Sequence, residues 1–212
     1  FPLSLAPATP FGFNVLSSLP TQRHFTQMLR DTSNATLQFL LTNSLQLILA
    51  ELASRGVPSI ECVSLDTKHI LAWVKENNPK TYVANRFNKK KQPTGDPDCK
   101  LGCKRRHNQR VVPTTPTHNP VSATTVKVGE YYWGYGSGIV VTKVPTWGEF
   151  VLAELTQPFD QGDLTYFFPL MHQVEERLGS KPRYATFDAA FDAWYVYAYF
   201  YRENDPDYGF AA

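Results

Sequence analysis

From Thr21 the apolar positions of this chain fall into a helical rhythm. Phe25, Met28 and Leu29 are followed by a longer stripe of Leu37, Leu40, Leu41, Leu45, Ile48, Leu49 and Leu52, with Ser33 or Asn34 as cap and Gly56 and Pro58 as the stop. Ahead of them Pro2, Pro7, Pro10 and Pro20 predict an extended lead-in. The rhythm then shortens to two: in residues 59–66 the apolar side chains stand at 60, 63 and 65 and Asp66 closes the run, which predicts a strand. Ile70 to Val74 either continues that strand or pairs back on it. Between 76 and about 126 all periodicity is lost, and this stretch is expected to be a long insertion loop.

Order returns with aromatic and β-branched runs at 130–135 and 139–144, a turn over Pro145 to Gly148, and a third strand over 149–156. Leu164, Phe168, Leu170, Met171, Val174 and Leu178 then trace an amphipathic helix closed by Gly179. A short strand, 183–188, ends on Asp188, and an aromatic helix should begin near Asp192. Helices, three strands, helix, strand, helix is the order of a mixed α/β sheet with helices packed on it. The expected organisation is an N-terminal helical region, 1–58, and an α/β body, 59–212, carrying the insertion 76–126.

With 42% hydrophobic and 14% aromatic residues among 212, the chain can bury one substantial core. No apolar run reaches the 18 residues of a membrane span, and no signal peptide is seen, so a soluble, cytoplasmic protein without a membrane partner is expected. Cys62, Cys99 and Cys103 are too few, and odd in number, for a disulfide scaffold. The absence of an initiator Met and the abrupt end at Gly209-Phe210-Ala211-Ala212 suggest a segment of a longer chain. The net charge of +2 conceals an asymmetry: from Arg86 to Arg110 nine basic residues face only Asp96 and Asp98. A polyanion is the natural partner of such a segment, with Lys89, Lys90, Lys91, Lys104, Arg105 and Arg106 as candidate phosphate contacts.

Asp66 and Asp188 both stand at predicted strand ends. Two divalent metals about 3.5–4 Å apart can run phosphoryl transfer by activating the attacking oxygen and stabilising the leaving one, and they require hard oxygen ligands on a rigid frame. An acid at a strand end is also a common turn former or helix cap, so spacing alone leaves both readings open.

Three ordered blocks carry a resemblance. Val63-Ser64-Leu65-Asp66-Thr67-Lys68, then Tyr132-Trp133-Gly134-Tyr135 leading into a β-rich run, then Ala185-Thr186-Phe187-Asp188-Ala189-Ala190-Phe191-Asp192 resemble successive blocks of insertion-sequence DDE transposases. The segment Leu19 to Phe25 with its leucine-rich helix resembles the region upstream of the first acid, so the likeness spans about residues 19 to 205. It implies an RNase H-like fold, two Mg²⁺ or Mn²⁺ ions, and metal-dependent DNA cleavage and strand transfer at transposon ends, on DNA-bound homodimers. Asp66 then corresponds to the first metal-binding catalytic acid and Asp188 to the second. Asp192 is expected to cap the following helix. The family's third acid, a Glu on a later helix, is expected beyond this chain, since Glu203 lies too near Asp188. The family pattern also carries a Lys where this sequence has Gly136. A catalytically inactive, nucleic-acid-binding remnant is the alternative function.

Cys99, Cys103, His107 and His118 hold residue types that zinc uses, but at C-x3-C-x3-H-x10-H spacing, which departs from the usual short pairs; free thiols are expected. The aromatic run Trp194 to Tyr201 is read as core packing in preference to a base-stacking platform. His24, His69 and His172 are isolated in the sequence.

Overall fold

The computed structural model describes residues 21–58, 60–104 and 130–201, in two compact units divided after Val57. The first unit is a helical pair, α1 (Gln22–Asp31) and α2 (Asn34–Ser54). Ser33 is the cap of α2, its hydroxyl accepting the Thr36 N–H at 3.1 Å. The chain leaves α2 through Gly56 in the left-handed conformation (φ +73°), as the sequence predicts. Of the expected leucine stripe, Leu45 and Leu52 are buried, whereas Leu40 is exposed, as are Phe39 and Leu47 beside it.

The second unit is a mixed five-stranded sheet with helices against it. Strand β1 (Cys62–Leu71) pairs antiparallel with β3 (Glu130–Val144), and β3 pairs antiparallel with both β2 (Lys100–Lys104) and β4 (Gly148–Pro158). After α3 (Phe167–Leu178), the short strand β5 (Tyr184–Thr186) returns parallel to β1, and α4 (Trp194–Phe200) follows. The expected mixed α/β sheet flanked by helices is therefore present.

Two strands differ from their predicted extents for the same reason. β1 runs unbroken through the polar stretch Thr67-Lys68-His69, so Asp66 stands in mid-strand and not at a strand end. β3 is one strand of 15 residues that joins the runs 130–135 and 139–144 through Gly136-Ser137-Gly138, and its register carries β1 from Ser64↔Val141 to Leu71↔Gly134. Pairing with a long neighbour overrides weak local propensity. The glycines of β3 allow its close contacts. A Cβ on Gly134 would lie 2.1 Å from the Ile70 carbonyl oxygen, and one on Gly136 would lie 2.4 Å from the Tyr166 hydroxyl, which donates to the Gly136 carbonyl at 2.8 Å.

One face of the sheet, bearing Val63, Leu65, Val140 and Leu152, packs under Tyr166, Phe167, Leu170, Met171 and Val174, all buried. At roughly 25 cal/mol per Å² of apolar surface removed from water, such side chains each contribute about 1.5–3 kcal/mol. Gly179 ends α3 in the left-handed conformation, its N–H donating to the Glu175 carbonyl at 2.9 Å. The aromatic helix divides: Phe200 is fully buried against Phe167 and Phe187, while Trp194 and Tyr201 are exposed.

The insertion corrects the sequence reading. Its described part, 76–104, has an ordered path anchored on Trp133, whose indole N–H donates to the Arg86 carbonyl at 2.8 Å. The Asn77 side chain donates to the carbonyls of Ala72 and Trp133 and accepts the Trp133 N–H, joining the start of the insertion to the sheet. Gln92 donates to the carbonyls of Asp96 and Cys99, and the Tyr135 hydroxyl donates to Asp96 at 2.6 Å. Cys99 is buried in a small core with Ala72, Val74 and Trp133, and the segment ends in β2. Such side-chain-to-backbone bonds leave no periodic signature, which is why the stretch reads as a loop.

Candidate metal and nucleic-acid site

Val63 and Leu65 point into the core and fix β1, so Ser64 and Asp66 occupy its opposite face. Strand β5 lies directly beside, with Ser64 opposite Thr186, and the two hydroxyls are hydrogen-bonded to each other. Asp66 stands two residues past Ser64, and Asp188 two past Thr186. The ladder itself covers only Cys62–Ser64 and Tyr184–Thr186, so both acids lie two residues beyond its last pair, Asp66 still within β1 and Asp188 after β5 has ended. The backbone at Asp188 is still extended (φ −85°, ψ 174°), although the paired strand stops at Thr186.

Both acids are exposed, and each has one oxygen tied to backbone. Asp66 Oδ1 accepts the Thr67 N–H at 2.7 Å, and Asp188 Oδ1 accepts the Ala190 N–H at 3.0 Å, capping the 3₁₀ turn Ala189–Phe191. Asp188 is thus a cap in fact, and it also lines a cleft of about 210 Å³ with Phe187, Phe191, Asp192 and Tyr197. Asp192 does not cap α4, whose N-cap is Ala193; it accepts the Tyr197 hydroxyl at 2.7 Å, which raises the Tyr197 pKa. In kind the two carboxylates fit Mg²⁺ or Mn²⁺: hard, exposed oxygens of the sort that hold a largely hydrated ion. Among the described residues no group of three or more His, Cys, Asp or Glu side chains forms a metal cage.

Sequence reasoning missed Glu154. The register Asp66↔Ile139↔Glu154 places it in the same row as Asp66, one strand further across, where its Oε1 accepts from Ser137 and Thr156. The alternation along β4 would have placed it on that face. Also unforeseen is Asp163, which leads the 3₁₀ turn before α3 and accepts the Thr67 hydroxyl at 2.7 Å.

Of the predicted phosphate contacts, Lys89, Lys90 and Lys91 are exposed on one turn, held by Asn88, whose side chain accepts the Lys90 N–H and whose carbonyl accepts the Lys91 N–H. Lys104 is exposed at the end of β2, and Arg105 and Arg106 lie outside the described residues. Two other bases of the segment have internal partners: Arg86 donates to the carbonyls of Asn78 and Thr81, and Lys100 to Gln92.

Cys99 donates its thiol hydrogen to the Asp96 carbonyl, and burial, with Asp96 nearby, pushes its pKa up to about 11. A thiol held protonated is a poor zinc ligand. Cys62 and Cys103 are exposed and free, while His107 and His118 lie outside the described residues. His69 packs on Phe159 and Tyr132, and His172 lies 3.4 Å from Glu176.

Set against known proteins, the chain matches no family model, no curated protein and no solved structure.

Proposed function

We propose that this chain is a DDE-type DNA transposase core with an RNase H-like fold, in which Asp66 and Asp188 together hold divalent metal for cleavage and strand transfer at transposon ends. The observation that carries the reading is the Ser64–Thr186 pairing, which lays the strand leading to the second acid against the strand bearing the first. A sheet that runs antiparallel, passes through a helix and returns parallel to its first strand supports the fold assignment for the same reason. The three ordered sequence blocks supply the family.

Mg²⁺ or Mn²⁺, as a pair of ions, would supply Lewis-acid activation of a water or 3′-hydroxyl and stabilisation of the departing oxygen. The chain's own residues orient that chemistry. Val63 and Leu65 lock β1, the Thr67 and Ala190 amides each fix one carboxylate oxygen, and the Ser64 and Thr186 hydroxyls hold the strands in register. Lys89, Lys90, Lys91 and Lys104, with Arg105 and Arg106, would neutralise DNA phosphates. A homodimer on DNA follows from the family resemblance. The family's Glu would come from a later helix.

The experiment is nicking of supercoiled plasmid in Mn²⁺. Cleavage by the full-length wild-type gene product, which would bring the later Glu to the two acids, is expected to be lost in its Asp66→Ala and Asp188→Ala variants. Cleavage that persists in either variant, or none by the wild type alongside retained DNA binding, overturns the catalytic reading; the latter result would establish a binding remnant.

A further inference from the structure

Where β1 ends, the chain forms an open cleft of about 460 Å³ whose lining includes Leu71, Trp73, Lys75, Asn77, Asn78 and Thr81. That volume lies within the range of small-ligand sites. Trp73 is fully exposed (101%), an unusual condition for the side chain with the largest apolar surface to bury. Tyr82, next in sequence to the lining residue Thr81, is 90% exposed.

Trp73 does not hang from a loose loop. Its neighbours Ala72 and Val74 are buried beside Trp133, and the Asn77 amide bonds to Ala72 and to both backbone groups of Trp133. The opposite wall is fastened by Arg86, whose guanidinium donates to the Thr81 carbonyl at 2.6 Å and to the Asn78 carbonyl at 3.2 Å. The aromatic face is therefore held out by a framework already in place. The charge around it is one-sided: from Trp73 to Lys91 the sequence holds Lys75, Lys80, Arg86, Lys89, Lys90 and Lys91 against Glu76 alone, and Glu76 is buried. An exposed aromatic plane with cations alongside fits a base on the plane and phosphates on the cations.

We infer that this cleft captures an unstacked nucleobase of a DNA strand, with Trp73 stacking on the base and Lys75 holding an adjacent phosphate. The inference rests on the reading of the chain as a DNA-acting protein, but it needs neither acid and no metal. Stacking on a tryptophan face is tolerant of base identity, so the site selects unpaired over paired nucleotides and not one sequence over another.

The test uses the full chain in EDTA with a short single-stranded deoxyoligonucleotide carrying 2-aminopurine, and its fully paired duplex as comparison. Wild-type protein should quench the probe in the single strand. Trp73→Ala should weaken single-strand binding by about 5- to 150-fold, as loss of one base–aromatic stack does, and Trp73→Phe should restore most of it. Because Trp73 is fully exposed, both variants should keep the wild-type circular dichroism. Single-strand affinity of Trp73→Ala equal to wild type, a Phe variant no better than Ala, or the same Trp73 dependence for the intact duplex would each overturn the inference. Asp66→Ala should bind the oligonucleotide as wild type does, so failure of the metal reading and failure of this one give different results.

Discussion

The side chains of Ser64 and Thr186, 122 positions apart in sequence, are hydrogen-bonded across two adjacent parallel strands. This contact fixes the relative register of β1 and β5, and register decides whether Asp66 and Asp188 advance together or out of step. A slip of one residue would send one acid to the opposite face of the sheet.

Gly134 tests the packing on which β1 depends. Its absent Cβ leaves room for the Ile70 carbonyl, which a methyl group would meet at 2.1 Å. Backbone cannot swing aside as a side chain can, so Gly134→Ala should cost at least the upper part of the about 1–3 kcal/mol typical of overpacking. Urea denaturation should show a lower midpoint, with Gly162→Ala, where nothing stands within 4 Å, as the tolerated control.

The cysteines should separate by reactivity. Burial holds the Cys99 thiol protonated up to about 11, whereas Cys62 and Cys103 are exposed. At pH 8 in the native state, an alkylating agent followed by mass spectrometry should label Cys62 and Cys103 quickly and Cys99 only after denaturation. Fast labelling of Cys99 would contradict the core that joins it to Trp133.

His69 makes the stability of the fold depend on pH. Burial against aromatic rings lowers its pKa below the ordinary 6.5, with Lys104 acting in the same direction and Asp163 opposing. The folded state therefore binds this proton less readily than the unfolded chain. The stability is complete above about pH 6.5 and falls as the pH drops toward the folded-state pKa. Thermal melts between pH 7.5 and pH 5 should show a decline that is shallower in His69→Gln.

Lys89, Lys90 and Lys91 should act through phosphate charge. Each one replaced by Ala should reduce the slope of log affinity against log salt by about 0.9 on duplex DNA, uniformly across sequences. Fluorescence anisotropy at several salt concentrations measures it, and an unchanged slope in the triple variant would remove this turn from the DNA interface.

Much of this architecture was legible along the chain because it is periodic. The stripe of α3, its Gly179 stop, the turn after Val144 and the alternation around Val63 and Leu65 all read directly as elements. What stayed hidden depends on partners remote in sequence. Asp66 reads as a strand end because Thr67, Lys68 and His69 are polar, yet pairing with β3 carries the strand to Leu71. The segment 76–104 reads as structureless because its order lies in single side chains, Asn77, Arg86 and Gln92, bonding to backbone that no periodic pattern records. Of the candidate site, the two acids were visible as residues; their common step past Ser64 and Thr186 was not, since it arises only when β5 returns beside β1. The cleft at Trp73 escaped for a related reason: an isolated tryptophan in a sequence gives no sign of being turned outward.

The central claim is that Asp66 and Asp188 serve one metal site, and a double-mutant cycle on Mn²⁺ affinity tests it most directly. Calorimetric titration of wild type, Asp66→Asn, Asp188→Asn and the double variant should show each single replacement losing more than the about 10- to 100-fold that a merely supporting residue costs a metal site. The double variant should lose scarcely more than either single one, because the ion is already gone. Losses that multiply as for independent sites, or a single variant that binds Mn²⁺ as tightly as wild type, would contradict it.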